Sequence, residues 1–393
     1  MNLDRVEFAR PAGSCPPVKG GASRSEAAGS CPPVKGGAER SEAGGFGDLT
    51  QTIQVRLATP SDLDRWESFV DRCPEATFFH RAGWKEIIET VFRHRAFYLI
   101  AERHASIVGV LPLAETKSLL FGHALVSLPF CVYGGVAATE PGAVPALHAA
   151  ARDLADRLGV DHLELRNRTA REPDWPRQDL YVTFRKEVLA DVEANMLAIP
   201  RKQRAMVRKG IKHGLRSEID ASVDRFFRLY ADNMHRHGTP PLPKRYFEAL
   251  QRVFGRDAEV LTVLDADGAP MSSVLTFYFR DEVLPYYAGD EADARDLAAN
   301  DFKYWELIRR ACERGCRVFD YGRSKRGTGS FDFKRNWGFE PAPLHYEYAL
   351  RRGDRIPENN PLNPKYRAFI ALWRRLPVPI ANRIGPFLAR GLG

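Results

Sequence analysis

The 393-residue sequence contains few cysteines, and their spacing excludes the common cysteine-based sites. The six cysteines form no CxxC pair and no Cys/His set with zinc-finger spacing. We therefore expect free thiols in a reducing compartment and no bound metal. Residues 1–50 lack an apolar core between a basic start and a cleavage site, so no secretory signal is indicated and a cytoplasmic protein is predicted.

Long apolar runs are also scarce. The one long run, residues 119–138, contains Gly122, Pro129 and Gly134, so it predicts buried strands with a turn rather than a membrane-spanning helix. The rest is balanced as in soluble globular proteins, with 44% hydrophobic and 27% charged residues. This composition excludes wholesale disorder, and the length predicts two or three domains.

Acidic residues are missing where basic residues are most concentrated. Residues 201–216 hold seven Lys/Arg and no acid, and residues 351–393 hold nine Lys/Arg against two acids. Basic patches on an otherwise acidic body indicate a phosphate-bearing partner or a membrane surface. The alternative is that both segments are solvated helix faces.

The N-terminal segment is repetitive. Residues 12–27 recur at 28–43 with one change, and their Gly, Pro, Ser and Ala content cannot bury enough apolar surface to fold. We predict that residues 1–50 are a disordered tandem repeat.

From residue 54 the pattern alternates between strands and helices, and the order of elements occurs twice. Each pass has hairpin strands, a helix and a returning strand, and Arg166 and Arg323 end the matching strands. This predicts an α/β (α+β) chain with two tandem domains of mixed sheet, residues 51–185 and 186–352, and a basic amphipathic tail, residues 353–393. The order is the one found in N-acetyltransferase-like (GNAT) folds, although it also fits other mixed sheets.

Residues 318–339 carry the most informative motif. A predicted strand ends at Asp320 and Tyr321, and a glycine-rich loop follows whose amides could approach an anion. Aromatic residues then alternate with cations, which we expect to point into a cleft. The candidate catalytic residues are Lys334, Asp320, Tyr321 and Arg323, and Ser324 and Trp337 are candidate binding residues. The alternative is an Asp320–Arg323 salt bridge at a strand end with Lys334 as a surface charge.

Two further segments are candidates for binding. Residues 199–213 predict a helix that begins at Pro200, and its cations suit a diphosphate or a nucleic-acid backbone. Its candidate binding residues are Lys202, Arg204, Arg208 and Lys209. Residues 238–248 form a stiff proline-rich segment in which Thr239 would line a cleft, although a plain connector fits equally well.

These segments resemble a known family. The strings IPRKQRAMVRKG, GTPPLPKRYFEAL, FDYGRS and FDFKRNWGF are similar to those of FemAB-like proteins of exosortase/PEP-CTERM exopolysaccharide systems. They resemble more distantly the FemABX peptidyltransferases of peptidoglycan bridges. The likeness covers most of residues 53–375, and the early motif with His80 and Trp84 also matches.

The resemblance implies two tandem GNAT-like domains that transfer an aminoacyl or acyl group onto an amine. Phosphate-binding functions of the family would fall on residues 202–209, and the catalytic lysine on Lys334. The peptidoglycan members take aminoacyl-tRNA as donor and a nucleotide-linked or lipid-linked precursor as acceptor. This chain lacks the coiled-coil arm that some of them insert.

The expected chemistry is direct aminolysis without a covalent enzyme intermediate, which needs no cofactor. Asp320 or Tyr321 would assist proton removal, Arg323 or Lys334 would bind phosphate or an oxyanion, and Tyr286 and Tyr287 would line the acceptor pocket.

Two other functions stay open. One is an acyl-CoA-dependent N-acyltransferase acting on an amino sugar, although four acids in residues 290–296 would repel a diphosphate. The other is a non-catalytic basic protein that binds RNA or another polyanion.

The tail also allows two structures. Apolar residues recur at helical spacing among arginines, namely Phe369, Ile370, Leu372, Trp373 and Leu376. They predict either a terminal helix docked on the core or an interfacial segment in peripheral contact with an anionic membrane.

Overall fold

The computed structural model describes residues 52–118, 122–353, 356 and 364–391. The predicted tandem repeat in residues 1–50 lies outside the described residues. The strands are β1 (Gln54–Leu57), β2 (Arg95–Arg103), β3 (Ser106–Ser118), β4 (Gly122–Val126), β5 (Ala137–Ala138), β6 (His162–Asn167), β7 (Arg177–Gln178), β8 (Tyr181–Glu187), β9 (Arg216–Asp220), β10 (Ala258–Leu264), β11 (Pro270–Phe279), β12 (Glu282–Asp290), β13 (Val318–Asp320), β14 (Ser324–Lys325), β15 (Glu340–Pro343) and β16 (His345–Leu350).

The helices are α1 (Leu63–Arg72), α2 (Gly83–Thr90), α3 (Ala143–Leu158), α4 (Val192–Ala198), α5 (Arg201–Lys212), α6 (Asp224–His237), α7 (Lys244–Phe254), α8 (Ala299–Glu313), α9 (Gly329–Asn336), α10 (Pro364–Trp373) and α11 (Val378–Ala389), with short 3-10 turns at Pro60–Asp62, Phe78–His80 and Gly255–Asp257. No helix in the described part of the chain is both long and apolar enough to cross a bilayer.

The strands form two sheets with the predicted repeated order. The first runs β1-β2-β3-β4-β6-β16-β7 and the second β14-β8-β13-β12-β11-β10-β9. In each, three antiparallel strands are followed by a helix and then by a strand parallel to the third: β4 pairs with β6, and β12 with β13. The mixed α/β architecture predicted from the sequence is therefore confirmed.

The two sheets exchange one strand each. Strand β8 follows the first sheet along the chain but pairs with β13 of the second sheet, and β16 follows the second sheet but pairs with β6 of the first. Sheet membership thus does not divide the chain at residue 185. Because each sheet needs a strand from the other half, we expect the two halves to fold cooperatively.

A shared apolar core holds the halves together. Phe78 stacks on Phe277 of the second sheet at 4.3 Å between ring centroids, and Trp84 packs against Phe254 at 5.3 Å. These aromatic contacts fix the position of one sheet relative to the other by packing. Within the second half, α6 lies close on β12, because a side-chain carbon at Gly289 would lie 2.3 Å from the backbone nitrogen of Tyr230.

One predicted strand is shorter than expected. The apolar run predicts a strand through residue 133, but β4 ends at Val126 and the chain enters a loop of residues 127–134, here called the strand-end loop. Leu128 and Phe130 adopt left-handed φ angles of 58° and 68° around Pro129, which has no N–H for a sheet ladder.

Candidate functional site

The carboxyl end of β13 is organised around a buried aspartate. The Asp320 carboxylate is 0% exposed and accepts four hydrogen bonds. The donors are Tyr133 Oη at 3.0 Å, Thr183 Oγ1 at 3.1 Å, Arg185 Nη1 at 2.9 Å and the backbone amide of Gly322 at 2.8 Å. With four donors around it and no exposure, this carboxylate joins the two sheets. It is not placed to take a proton from a substrate, and its ion pair is with Arg185 rather than with Arg323.

Lys334 is buried, contrary to the expectation of a cation pointing into a cleft. It lies on α9, is 7% exposed and donates to the carbonyl oxygens of Tyr321, Gly322 and Arg323 at 2.6, 3.0 and 3.3 Å. Burial lowers the pKa of Lys334 to about 7, so it changes charge near neutral pH. The side chain therefore stabilises the backbone of residues 321–323, which follow β13.

Arg323 is the exposed cation at this strand end. Its guanidinium carbon lies 4.7 Å from the ring centroid of Tyr181 and 5.9 Å from that of Tyr346, and Nη1 is 3.4 Å from the Tyr346 hydroxyl. Within the described residues no carboxylate pairs with Arg323. A guanidinium that contacts two neighbouring aromatic rings and has donors left for solvent can bind an anion.

The aromatic pair on β12 lies close to Arg323. Tyr286 and Tyr287 are half-buried; Tyr286 donates to the Phe130 carbonyl at 2.9 Å, and Tyr287 shares a hydrogen bond with Tyr246 at 3.0 Å. Burial raises the pKa of Tyr286, and the Arg323 charge opposes that rise. The structure thus brings Tyr286 together with Arg323 and the strand-end loop, beside the expected acceptor pocket.

Tyr321 points away from Arg323 into a second aromatic group. Its ring is 4.6 Å from that of Tyr304 on α8, and its buried hydroxyl has no hydrogen-bond partner among the described residues. Burial raises its pKa well above the usual range, so the hydroxyl stays protonated. It is therefore not a base at neutral pH. The neighbouring Asp301 accepts from Trp337 Nε1 at 3.0 Å, and burial raises the pKa of Asp301 to about 6.

Four predicted binding residues have structural positions instead. Trp337 is 1% exposed, and Ser324 is 5% exposed and hydrogen-bonds Ser330. His80 is 3% exposed and bonded to the Gly135 carbonyl at 2.8 Å, and burial lowers its pKa to about 4. Trp84 is fully buried and donates to the Phe78 carbonyl. All four side chains are thus buried within the fold, and their role in binding stays a prediction.

Thr239 lies apart from Lys334. It is half-buried at the C-terminal end of α6, where its amide donates to the Met234 carbonyl. A side-chain carbon added at the adjacent Gly238 would lie 2.5 Å from Ile370 of α10, and one added at Gly385 of α11 would lie 2.6 Å from Pro241. The proline-rich segment therefore supports the C-terminal helices.

Helix α5 presents its cations to solvent, as predicted. Lys202, Arg208 and Lys209 are exposed and Arg204 is half-exposed, whereas Val207 on the opposite side is buried. None of these four cations pairs with a carboxylate in the part of the chain that the structure describes. Helix α5 begins next to the end of α9, since a side-chain carbon at Gly338 would lie 3.2 Å from Pro200.

The segment between β12 and α8 remains acidic in three dimensions. Asp290 pairs with Lys303 at 2.8 Å and Glu291 with Arg228 at 2.5 Å, but Asp293 and Asp296 are exposed before the helix. Two carboxylates at this point oppose a diphosphate at the start of α8.

Known proteins resemble this architecture. Residues 201–335, which include β9–β14, match the family described as Acetyltransferase (GNAT) domain. The first sheet repeats the same order of three antiparallel strands, helix and parallel strand. The chain has a tandem GNAT fold. A crystal structure of FemX shares it at a TM-score of 0.57 and 14% identity, covering 75% of this chain and 97% of that one.

Two further proteins are similar to this chain. The C-terminal domain of a putative lysylphosphatidylglycerol synthetase from Agrobacterium fabrum matches at a TM-score of 0.51 and 12% identity, covering 75% of this chain and 92% of that one. In sequence, a UDP-N-acetylmuramoylpentapeptide-lysine N(6)-alanyltransferase of Weissella viridescens is 23% identical over 150 residues, which is 37% of this chain and 44% of that protein. The chain thus matches less than half of its curated relative. Together the findings support a transferase similar to the FemABX proteins.

Sequence reasoning missed the aromatic partners of Arg323. Tyr181 and Tyr346 come from the two exchanged strands, β8 and β16, and no local motif marks them. Only the pairing of each strand with the opposite sheet could have revealed them, and that pairing depends on contacts between residues far apart in sequence.

Proposed function

We propose that this protein is a Fem-type aminoacyl or acyl transferase that modifies an amine of a cell-envelope or exopolysaccharide precursor by direct aminolysis. The observation that carries the proposal is the exposed Arg323, which pairs with no carboxylate among the described residues and lies at the carboxyl end of β13 in the matched GNAT domain. The carboxyl edge of an open α/β sheet is where ligands bind in many such folds.

The residues take different roles in this proposal. Arg323 binds the anionic group of a substrate or stabilises the oxyanion that forms as the amine attacks the ester. Lys334 is a positioning residue, because its ammonium holds the three carbonyls around Arg323. Tyr286 lines the acceptor pocket. Asp320 joins the sheets, and the proton leaves the amine to solvent or to the substrate itself.

The proposed donor is an aminoacyl-tRNA. The exposed cations of α5, which pair with no carboxylate in the described part of the chain, suit an RNA backbone, and α5 starts beside the end of α9. The exposed Asp293 and Asp296 disfavour the diphosphate of coenzyme A at α8. The proposed acceptor is a nucleotide-linked or lipid-linked glycan on the cytoplasmic side of the membrane, where aminoacyl-tRNA is made.

The test is a transfer assay with two donors. The protein is incubated with a UDP-linked muramoyl pentapeptide and either a mixture of aminoacyl-tRNAs or acetyl-CoA, and the acceptor is analysed by mass spectrometry. We expect an aminoacyl mass increase with tRNA that Arg323→Met abolishes. An acetyl increase only with acetyl-CoA would contradict the donor. If the muramoyl pentapeptide gives no product but an amino-sugar glycan is aminoacylated, the activity belongs to exopolysaccharide synthesis.

A second candidate is an acyl-CoA-dependent N-acyltransferase, which the match to an acetyltransferase domain favours. Calorimetry with coenzyme A distinguishes it, because this function requires saturable binding. A third is a non-catalytic polyanion-binding protein, which the α5 cations favour. It predicts steeply salt-dependent RNA binding and no transfer with any donor.

A further inference from the structure

The C-terminal hairpin, defined as α10 and α11, has two different faces. One face is docked: Trp373, Ala381, Gly385 and Ala389 are buried. The backbone is also held, since His235 of α6 bonds the Leu376 carbonyl at 2.8 Å and His94 bonds the Arg390 carbonyl at 3.0 Å. The hairpin therefore rests on both halves of the molecule, as the core-docking alternative predicted.

The other face is apolar and open. Phe387 is 80% exposed, Leu372 64%, Ile380 49%, Ile384 38% and Phe369 37%. On α11 the exposed residues follow at positions 380, 384 and 387, which is one side of a helix, opposite the buried positions 381, 385 and 389. Two short helices thus expose five large apolar side chains to water, and exposed apolar patches commonly mark interaction sites.

The charges around this patch have one sign. Arg374, Arg375, Arg383 and Arg390 are all exposed, and Arg390 reaches the carbonyl of Arg93, a fifth exposed cation. None of these five forms an ion pair with a carboxylate within the described ranges. Residues 359–393 contain no acid in the sequence. An apolar patch on a segment that carries cations and no acid is complementary to a surface of diffuse negative charge.

We propose that this face of the hairpin binds the surface of an anionic phospholipid bilayer. The apolar side chains enter the boundary between headgroups and acyl chains while the arginines contact lipid phosphates. The helices have 10 and 12 residues, which is too short to span a bilayer. A membrane is favoured over a protein partner because residues 359–393 combine apolar side chains with cations and no acid, which suits a surface of uniform negative charge. The proposal goes beyond the transferase activity and does not depend on it.

Membrane binding would orient the catalytic unit. Since the hairpin contacts α6 of the second half and residues 93–94 of the first, both sheets would be held rigidly relative to the bilayer. A substrate attached to lipid would then meet a site of fixed orientation, which raises its local concentration.

The test is sedimentation of the full-length protein with vesicles. Vesicles of phosphatidylglycerol mixed with phosphatidylcholine are compared with phosphatidylcholine alone, at low and at high salt. The variant Leu372→Ser/Ile380→Ser/Phe387→Ser removes exposed side chains without opening the docked face. A matched control, Leu57→Ser/Leu197→Ser/Ile211→Ser, removes three apolar residues that are 45%, 63% and 50% exposed elsewhere.

We expect the wild type and the control to sediment with anionic vesicles at low salt, and the hairpin variant to partition at least about tenfold more weakly. Equal sedimentation of both variants would overturn the proposal, as would a wild type that stays in solution. Lys202→Gln/Arg208→Gln/Lys209→Gln tests whether α5 is responsible instead, and loss of sedimentation there would also overturn it. A wild-type dimer in analytical ultracentrifugation that the hairpin variant dissociates would assign the face to a second copy.

Discussion

The two halves of the molecule each have an arginine near the carboxyl end of the returning strand, yet the two arginines have opposite environments. Arg166 is the last residue but one of β6 and is 5% exposed; it pairs with Glu164 at 2.7 Å and donates to the carbonyl of Cys131 at 2.8 Å. Arg323 lies beyond the end of β13 and is exposed without a carboxylate partner among the described residues. The first arginine is part of the core, and the second is open to solvent.

The difference comes from the strand-end loop. Three of its carbonyls are fixed: Tyr286 donates to that of Phe130, Arg166 to that of Cys131 and Tyr346 to that of Val132. The loop thereby covers the first strand end. At the second, Lys334 holds the carbonyls of residues 321–323, and Arg323 is exposed among the residues that the structure describes. A repeated fold can thus bury one arginine and leave its counterpart open to solvent.

Arg166→Met should have the largest effect. It leaves Glu164, which is 9% exposed, without its cation and the loop carbonyls without a donor, so we expect the free energy of unfolding to fall by about 3–5 kcal/mol. Urea denaturation followed by tryptophan fluorescence measures this. Arg323→Met is the matched control and should cost less than about 1 kcal/mol. A larger loss of unfolding free energy in Arg323→Met than in Arg166→Met would contradict the assignment of Arg166 to the core and of Arg323 to the exposed surface.

Arg323→Met should instead reduce transfer. Removing one charge-stabilising donor from an active site costs about a hundredfold or more in turnover, so we expect a loss of that size with an unchanged melting temperature. The assay is the initial rate of product formation at saturating donor. Arg335→Met, on the exposed side of α9, serves as a control that should retain activity. Wild-type rates in Arg323→Met would remove Arg323 from the site.

Lys334 should make stability depend on pH. Its folded pKa of about 7 lies below the ordinary 10.5, so the unfolded chain binds the proton more tightly. The wild type should therefore gain stability relative to Lys334→Met as pH rises from 7 to 9, by up to about 1.4 kcal/mol per pH unit. Urea denaturation of both proteins across this range provides the measurement. A difference that stays constant with pH would mean that the lysine is charged throughout.

Tyr346→Phe should destabilise the protein less than Arg166→Met does, and it tests the connection between the two strand ends. The hydroxyl donates to the Val132 carbonyl at 2.9 Å and lies 3.4 Å from Arg323, so its removal should cost about 1–2 kcal/mol. A double-mutant cycle with Arg323→Met separates the two contacts. Additive losses in transfer would show that Tyr346 orients the loop alone, whereas coupling would place it in the binding site.

The sequence by itself determined the repeated order of strands and helices. The apolar spacing predicts helices over residues 144–158 and 297–314, and in the structure α3 runs Ala143–Leu158 and α8 runs Ala299–Glu313. Apolar periodicity of this kind depends on neighbours within a few turns, so it can be recognised without the fold. The exposed basic face of α5 follows from the same local pattern.

Only the tertiary structure decided which polar residues are free. In the sequence, Lys334 and Asp320 are predicted to be accessible catalytic groups. In the structure, Lys334 is buried against the backbone that follows β13, and Asp320 is buried among Tyr133, Thr183 and Arg185. Tyr181 and Tyr346 meet Arg323 because β8 and β16 each join the sheet of the other half. Burial and strand exchange arise from contacts between residues far apart in the chain, and a local pattern contains no record of them.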